Sequence, residues 1–236
     1  MLIFWRLLFG HLLADFTFQS NFINRWKRGS LWGMLAHCAM HPLCYLLLTW
    51  PFLRQPWIHL GSFSLSGWAC IAVVFAVHFA EDQWRVFTIF RYNTPDNTLY
   101  FIWDQLIHYA IIFAVIPVGL HDSNAALIPE KWPVLGCLFV LVTHACTVLV
   151  YFIEKDLYGR LFPEVQEKYF TMGERLVLAM IFLLPGNLWP LLALGWLSLM
   201  RWLRARRVAD LSWLSFSIGA AMAIVCGLTA RVIYYA

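Results

Sequence analysis

Residues 31–53 read LWGMLAHCAMHPLCYLLLTWPFL, a run without a single Lys, Arg, Asp or Glu. A helix that crosses a bilayer needs about 20 mostly apolar residues, and this run is long enough. Comparable segments flank it. One covers about residues 2–20 and passes into the basic turn NRWKRG; others run from near Phe63 to Phe90, Thr98 to Leu120, Trp132 to Ile153 and Leu211 to Tyr234. Each ends at charges, Pro or Asn, the usual punctuation of helix ends. Residues 168–203 admit two readings, one helix from Leu176 or two short helices broken at Pro185-Gly186-Asn187. The break returns Arg201, Arg204, Arg206 and Arg207 to the side that carries Arg25, Lys27, Arg28, Arg85 and Arg91, as the short-loop charge rule prefers. The expected fold is all-α: a polytopic transmembrane helical bundle of seven or eight spans, forming one integral membrane domain over 1–236.

Composition agrees. Of the 236 residues, 61% are hydrophobic and 13% charged, against about a quarter charged in soluble domains. An ordinary water-soluble domain is excluded. Cys38, Cys44, Cys70, Cys137, Cys146 and Cys226 lie in apolar stretches without a Cys-x-x-Cys pair, so they read as small buried hydrophobes. The N-terminus lacks a basic leader and a small-residue cleavage site, and reads as a retained first span. Trp5, Trp26, Trp32, Trp50, Trp57, Trp132, Trp189, Tyr234 and Tyr235 cluster near span ends, where aromatic belts form. The basic run RWLRARR (201–207) is expected to touch anionic lipid head groups. The short basic flanks give no footprint for a nucleic acid.

Ionisable residues interrupt the apolar helices in a pattern. His11 and Asp15, His37 and His41, His78 and Asp82, and Asp104 and His108 each stand four apart, with Glu81 beside the third pair. Four residues are just over one helical turn, so each pair shares a face. Each pair also lies roughly 9–15 Å from the proposed cytoplasmic end of its helix, at about 1.5 Å per residue. Alternating helices would bring these faces to one layer, with His144 and Glu174 at similar depth. A charge in hydrocarbon costs at least about 2.5 kcal/mol, which pairing, water or a metal can offset.

Imidazole with carboxylate suits Zn²⁺ or a similar first-row divalent ion. The metal-ligand candidates are His11, Asp15, His37, His41, His78, Asp82, Asp104 and His108. They exceed one zinc sphere, leaving room for one ion with supporting groups or two ions that share carboxylates. Gln19, Gln105, His144, Glu174 and Arg175 are accessory candidates, and hydrogen bonds between helices explain them almost as well. His59 and His121 fall in loops and read as surface groups. No phosphate loop, His-Glu-x-x-His or Gly-x-Ser-x-Gly occurs.

The function expected first is a metal-dependent hydrolase at the cytoplasmic face. It would act on an amphipathic or lipid-linked substrate, with Asp82 or Asp104 taking a proton from metal-activated water. Lipid- or prenyl-linked phosphate is the economical substrate because Arg85, Arg91 and Arg175 could meet its charge. An ion- or proton-coupled transporter is the second reading. A structural or assembly protein whose polar residues only join helices is the third.

The segments HLLADFTFQ (11–19), HFAEDQW (78–84), DQLIH (104–108) and GERL (173–176) resemble an uncharacterised bacterial membrane family, domain of unknown function 3307. The resemblance is best over about residues 4–120. It implies a multi-pass protein of the bacterial cytoplasmic (inner) membrane, and it carries His11, Asp15, Gln19, His78, Asp82, Asp104, Gln105 and His108 as characteristic polar residues. It implies no reaction.

Overall fold

Helix starts and stops follow local chemistry. The Ser20 hydroxyl accepts the Ile23 amide and opens one helix, and the Ser30 hydroxyl accepts the Trp32 amide and opens the next. The Asn97 side chain caps a third through the Tyr100 amide. Left-handed residues close others: Asn93 at φ 52 and Gly159 at φ 66. The computed structural model describes residues 2–117, 128–206 and 212–235.

The helices are α1 (Leu2–Leu12), α2 (Asn21–Gly29), α3 (Leu31–Thr49), α4 (Gly67–Tyr92), α5 (Thr98–Ala114), α6 (Lys131–Val140), α7 (Cys146–Tyr158), α8 (Val165–Ile181), α9 (Trp189–Ala205) and α10 (Trp213–Tyr235). A π-helical turn (Leu13–Thr17) extends α1, and a second (Leu141–Ala145) joins α6 to α7. A small antiparallel hairpin, β1 (Pro56–Leu60) with β2 (Phe63–Ser66), precedes α4. The described architecture is all-α apart from that hairpin.

Contacts divide the chain into two compact units, Met1–Cys137 and Leu138–Ala236. In the first, α3 packs on α1, α2 and α4, while α5 packs on α1 and α4. Its apolar core holds Leu7, Tyr45, Phe52, Trp57, Cys70, Val74 and Ile112. Gly33 lets α2 fold back on α3, because a Cβ there would enter the van der Waals envelope of the Trp26 carbonyl. In the second unit, α8 packs on α9 and α10 around Val142, Leu178, Phe182, Ala223 and Cys226.

Three helical stretches among the described residues are long and apolar enough to cross a membrane: Leu31–Phe52, Lys131–Tyr158 and Trp213–Tyr235. Seven or eight such spans are not found, for two physical reasons. The first apolar segment is spent on an 11-residue helix and a five-residue π turn, and α5, α8 and α9 have 17 residues each, short of the about 20 needed. Helix α4 has 26 residues but carries Glu81, Asp82, Arg85 and Arg91 in its second half.

Residues 168–203 divide between α8 and α9, and the break contains Gly186 at φ 76, a conformation suited to glycine. Two local expectations are corrected. Trp57 is 2% exposed, packed in the core with its indole N–H donating to the Phe52 carbonyl. Arg204 is buried and paired, as described below, so RWLRARR is not a uniformly lipid-facing run; Arg207 and His121 lie outside the described residues. All six cysteines are buried and free.

Candidate metal centre

Four helices bring the four polar pairs together inside the first unit. The end of α1 and its π turn supply His11 and Asp15; α3 supplies His37 and His41; α4 supplies His78 and Asp82; α5 supplies Asp104 and His108. The histidines pack ring on ring. The His41 and His78 centroids are 3.8 Å apart and those of His78 and His108 4.1 Å. Nδ1 of His11, His37 and His41 has no hydrogen-bond partner among the described residues, so packing orients these rings.

Asp15 is the first focus. Its Oδ1 lies 3.1 Å from His41 Nε2, 3.3 Å from His37 Nε2 and 3.9 Å from His78 Nε2. His11 stands on the other side of this carboxylate, with Nε2 3.4 Å from Oδ2. Gln105 links the layers. Its Oε1 faces His11 Nε2 at 3.3 Å, and its amide nitrogen donates to Asp15 Oδ2 and Asp104 Oδ2, both at 3.2 Å. His11 and Gln105 therefore orient Asp15.

His108 is the second focus. Its Nε2 is 3.2 Å from Glu81 Oε2, 3.7 Å from Asp104 Oδ1 and 3.9 Å from Asp82 Oδ1. These approaches lack hydrogen-bond geometry: His78 Nε2, His108 Nε2, Glu81 Oε2 and Asp104 Oδ1 are all buried and make no hydrogen bond among the described residues. Buried polar atoms are normally satisfied. Imidazole nitrogens with a free lone pair and carboxylate oxygens that make no hydrogen bond are groups that suit a cation.

Asp15, His37, His41 and His78 form one group able to hold a metal, and Glu81, Asp82, Asp104 and His108 form another; Cys38, His78 and Asp82 form a third. Within each, the ligand atoms lie within 4.8 Å of one another.

Cations rim the cluster. Lys27, on α2, places Nζ 3.3 Å from both Asp82 Oδ2 and His37 Nε2. Arg85 donates to Asp104 Oδ2 at 2.7 Å and to Asp96 Oδ1 at 3.0 Å, and Arg28 donates to Asp96 Oδ2 at 2.8 Å. Asp96 thus clamps α2 to the α4–α5 linker. Burial pushes its carboxyl up, but Arg28 and Arg85 more than reverse this and hold it below its ordinary value. The ionised form is favoured by folding. Its contribution is full above the unfolded pKa of about 3.9 and is lost as pH falls through the lower folded value. Thermal unfolding from about pH 6 to about pH 3 should show a steeper decline for wild type than for Asp96→Asn; parallel declines would exclude the clamp.

The family model described as protein of unknown function (DUF3307) matches residues 3–135. The chain belongs to the DUF3307 family. The matched region holds every residue of both four-membered groups. No curated protein and no solved structure matches the chain.

The remaining candidates from the sequence lie elsewhere. Gln19 follows the π turn, and its Oε1 is buried without a hydrogen-bond partner among the described residues. His144, Glu174 and Arg175 belong to the second unit, beyond the DUF3307 match. His144 Nδ1 is 3.2 Å from Thr143 Oγ1. Both Glu174 oxygens accept from Arg204, at 2.9 and 2.7 Å. Arg175 donates to the Thr171 carbonyl and to Thr147 Oγ1.

Sequence reasoning missed Lys27, which it assigned to topology, and left Glu81 outside the ligand set. Consecutive helical residues differ by about 100°, so Glu81 and Asp82 can flank one site; that signal was present.

Proposed function

We propose that this chain is a multi-pass protein of the cytoplasmic membrane and a hydrolase that uses a divalent first-row metal, most simply zinc. The observation that carries the reading is the gathering of histidine and carboxylate groups in which His78 Nε2, His108 Nε2, Glu81 Oε2 and Asp104 Oδ1 are buried without a hydrogen bond among the described residues. Neutral imidazoles and carboxylates together balance a 2+ ion and lower the cost of burying both. The substrate is an amphipathic or lipid-linked phosphate, with its tail among apolar helices and its head group at the metal. Lys27 and Arg85 supply positive charge beside that head group.

An ion held by Asp15, His37, His41 and His78 or by Glu81, Asp82, Asp104 and His108 would supply acidification of a water molecule. Asp104 would accept the proton: Arg85 pins its Oδ2, while Oδ1 is buried and makes no hydrogen bond among the described residues. The water, having given its proton to Asp104, would form the new P–O bond, and the bond to the lipid alcohol would break as that oxygen takes the proton back from Asp104. Protein purified in detergent should release inorganic phosphate from a prenyl phosphate, lose this activity to a chelator and regain it with zinc. Folded wild type that stays metal-free and indifferent to zinc and manganese would defeat the proposal.

Proton-coupled transport is the second reading, favoured by Lys27, His37 and Asp82 lying in mutual contact, as a relay would require. Flux into metal-free proteoliposomes, without phosphate release, would select it. The positive-inside rule makes positions 25 and 205 cytoplasmic. Single cysteines placed there in a cysteine-free background should label from that side; labelling of both from outside only would reverse the orientation.

A further inference from the structure

We infer that the cluster is a dinuclear centre: one divalent ion held by Asp15, His37, His41 and His78, a second by Glu81, Asp82 and His108, with Asp82 bridging them. This rests on the metal reading above and adds the number of ions and their link.

Spacing within each group comes first. At metal–ligand distances of about 2.0–2.2 Å, ligand atoms around a tetrahedral ion stand about 3.3–3.6 Å apart. Around Asp15 Oδ1 the nitrogens lie at 3.1, 3.3 and 3.9 Å. Around His108 Nε2 the Glu81 and Asp82 oxygens lie at 3.2 and 3.9 Å. Each group has the dimensions of one coordination sphere.

Asp82 then joins the spheres. Its Oδ2 is 3.1 Å from His37 Nε2 and 3.6 Å from His78 Nε2, facing the first group. Its Oδ1 is 3.9 Å from His108 Nε2, facing the second. A carboxylate that turns one oxygen to each of two adjacent sites is the arrangement that holds paired ions about 3.5–4 Å apart. With three ligands on the second ion, one position stays open for water beside Asp104.

Charge names the substrate more closely. Asp15, Glu81, Asp82 and Asp104 bring four negative charges, against which Lys27 and Arg85 set two positive ones. One divalent ion would neutralise the site. Two leave it doubly positive in an apolar bundle, a state completed by a dianion. The substrate class is therefore a phosphate monoester, whose two charged oxygens can span both ions.

Metal-stripped, full-length protein in detergent should be titrated with Mn²⁺, reading stoichiometry and electron paramagnetic resonance. The expected result is two ions per chain and an exchange-coupled spectrum. His108→Ala should bind one ion with an uncoupled six-line signal, and Asp82→Asn should lose the coupling. Should Asp82→Asn not fold, His108→Ala decides alone. One ion in wild type, or two without coupling, overturns the dinuclear centre and leaves the metal reading standing. No ion at all overturns both.

Discussion

His78→Ala should remove stoichiometric metal from the purified protein while its helical circular dichroism persists. His78 Nε2 is buried without a hydrogen-bond partner among the described residues, 3.9 Å from Asp15 Oδ1 and 3.6 Å from Asp82 Oδ2. Its ring also lies against His41 and His108, so this one side chain touches four of the other candidate ligands. Loss of a group that merely orients ligands weakens metal about 10–100-fold; loss of His78 should exceed that range. His59, exposed on the hairpin, is the control, and His59→Ala should leave metal content unchanged. Elemental analysis of the three proteins reads the difference. Unaltered metal in His78→Ala would separate this ring from any ion.

The second large effect is on stability. Glu174 and Arg204 form a two-pronged ion pair with side chains 8% and 1% exposed. The Arg204 guanidinium also lies 4.5 Å from the Phe216 ring centroid. Removing one partner of a buried pair typically costs about 3–5 kcal/mol, because the other charge is left uncompensated. Glu174→Ala should therefore lower the unfolding midpoint sharply. The double variant Glu174→Ala with Arg204→Ala should be less destabilised than the sum of the two single ones. Additive losses would mean the pair is not coupled.

The eight ligand candidates were legible because the helical period is robust. Residues four apart share a face whatever the helix packs against, and burial of His and Asp in apolar runs demands partners. Span number was less legible. Hydropathy reads RQPWIHLGSFSLSG as a loop followed by a helix, whereas residues 56–66 pair as a hairpin and α4 starts only at Gly67. The basic turn NRWKRG folds as part of α2, and its helical geometry turns Lys27 inward to Asp82 and Arg28 toward Asp96. Nothing in a count of positive charges separates such inward cations from topological ones. Arg204 was misread for the same reason: its partner Glu174 is 30 residues away, beyond any local pattern.

The π turn at Leu13–Thr17 has a consequence for how the centre can be lost. Such a turn accommodates one residue more than an α turn, and Asp15 sits within it. Deleting Ala14 would let the segment revert to regular α geometry. Every ligand would remain in the chain, yet Asp15 would swing about 100° around the axis, away from His37 and His41. A one-residue frameshift in space, rather than a substitution, would thus disperse the cluster while leaving its side chains in the sequence.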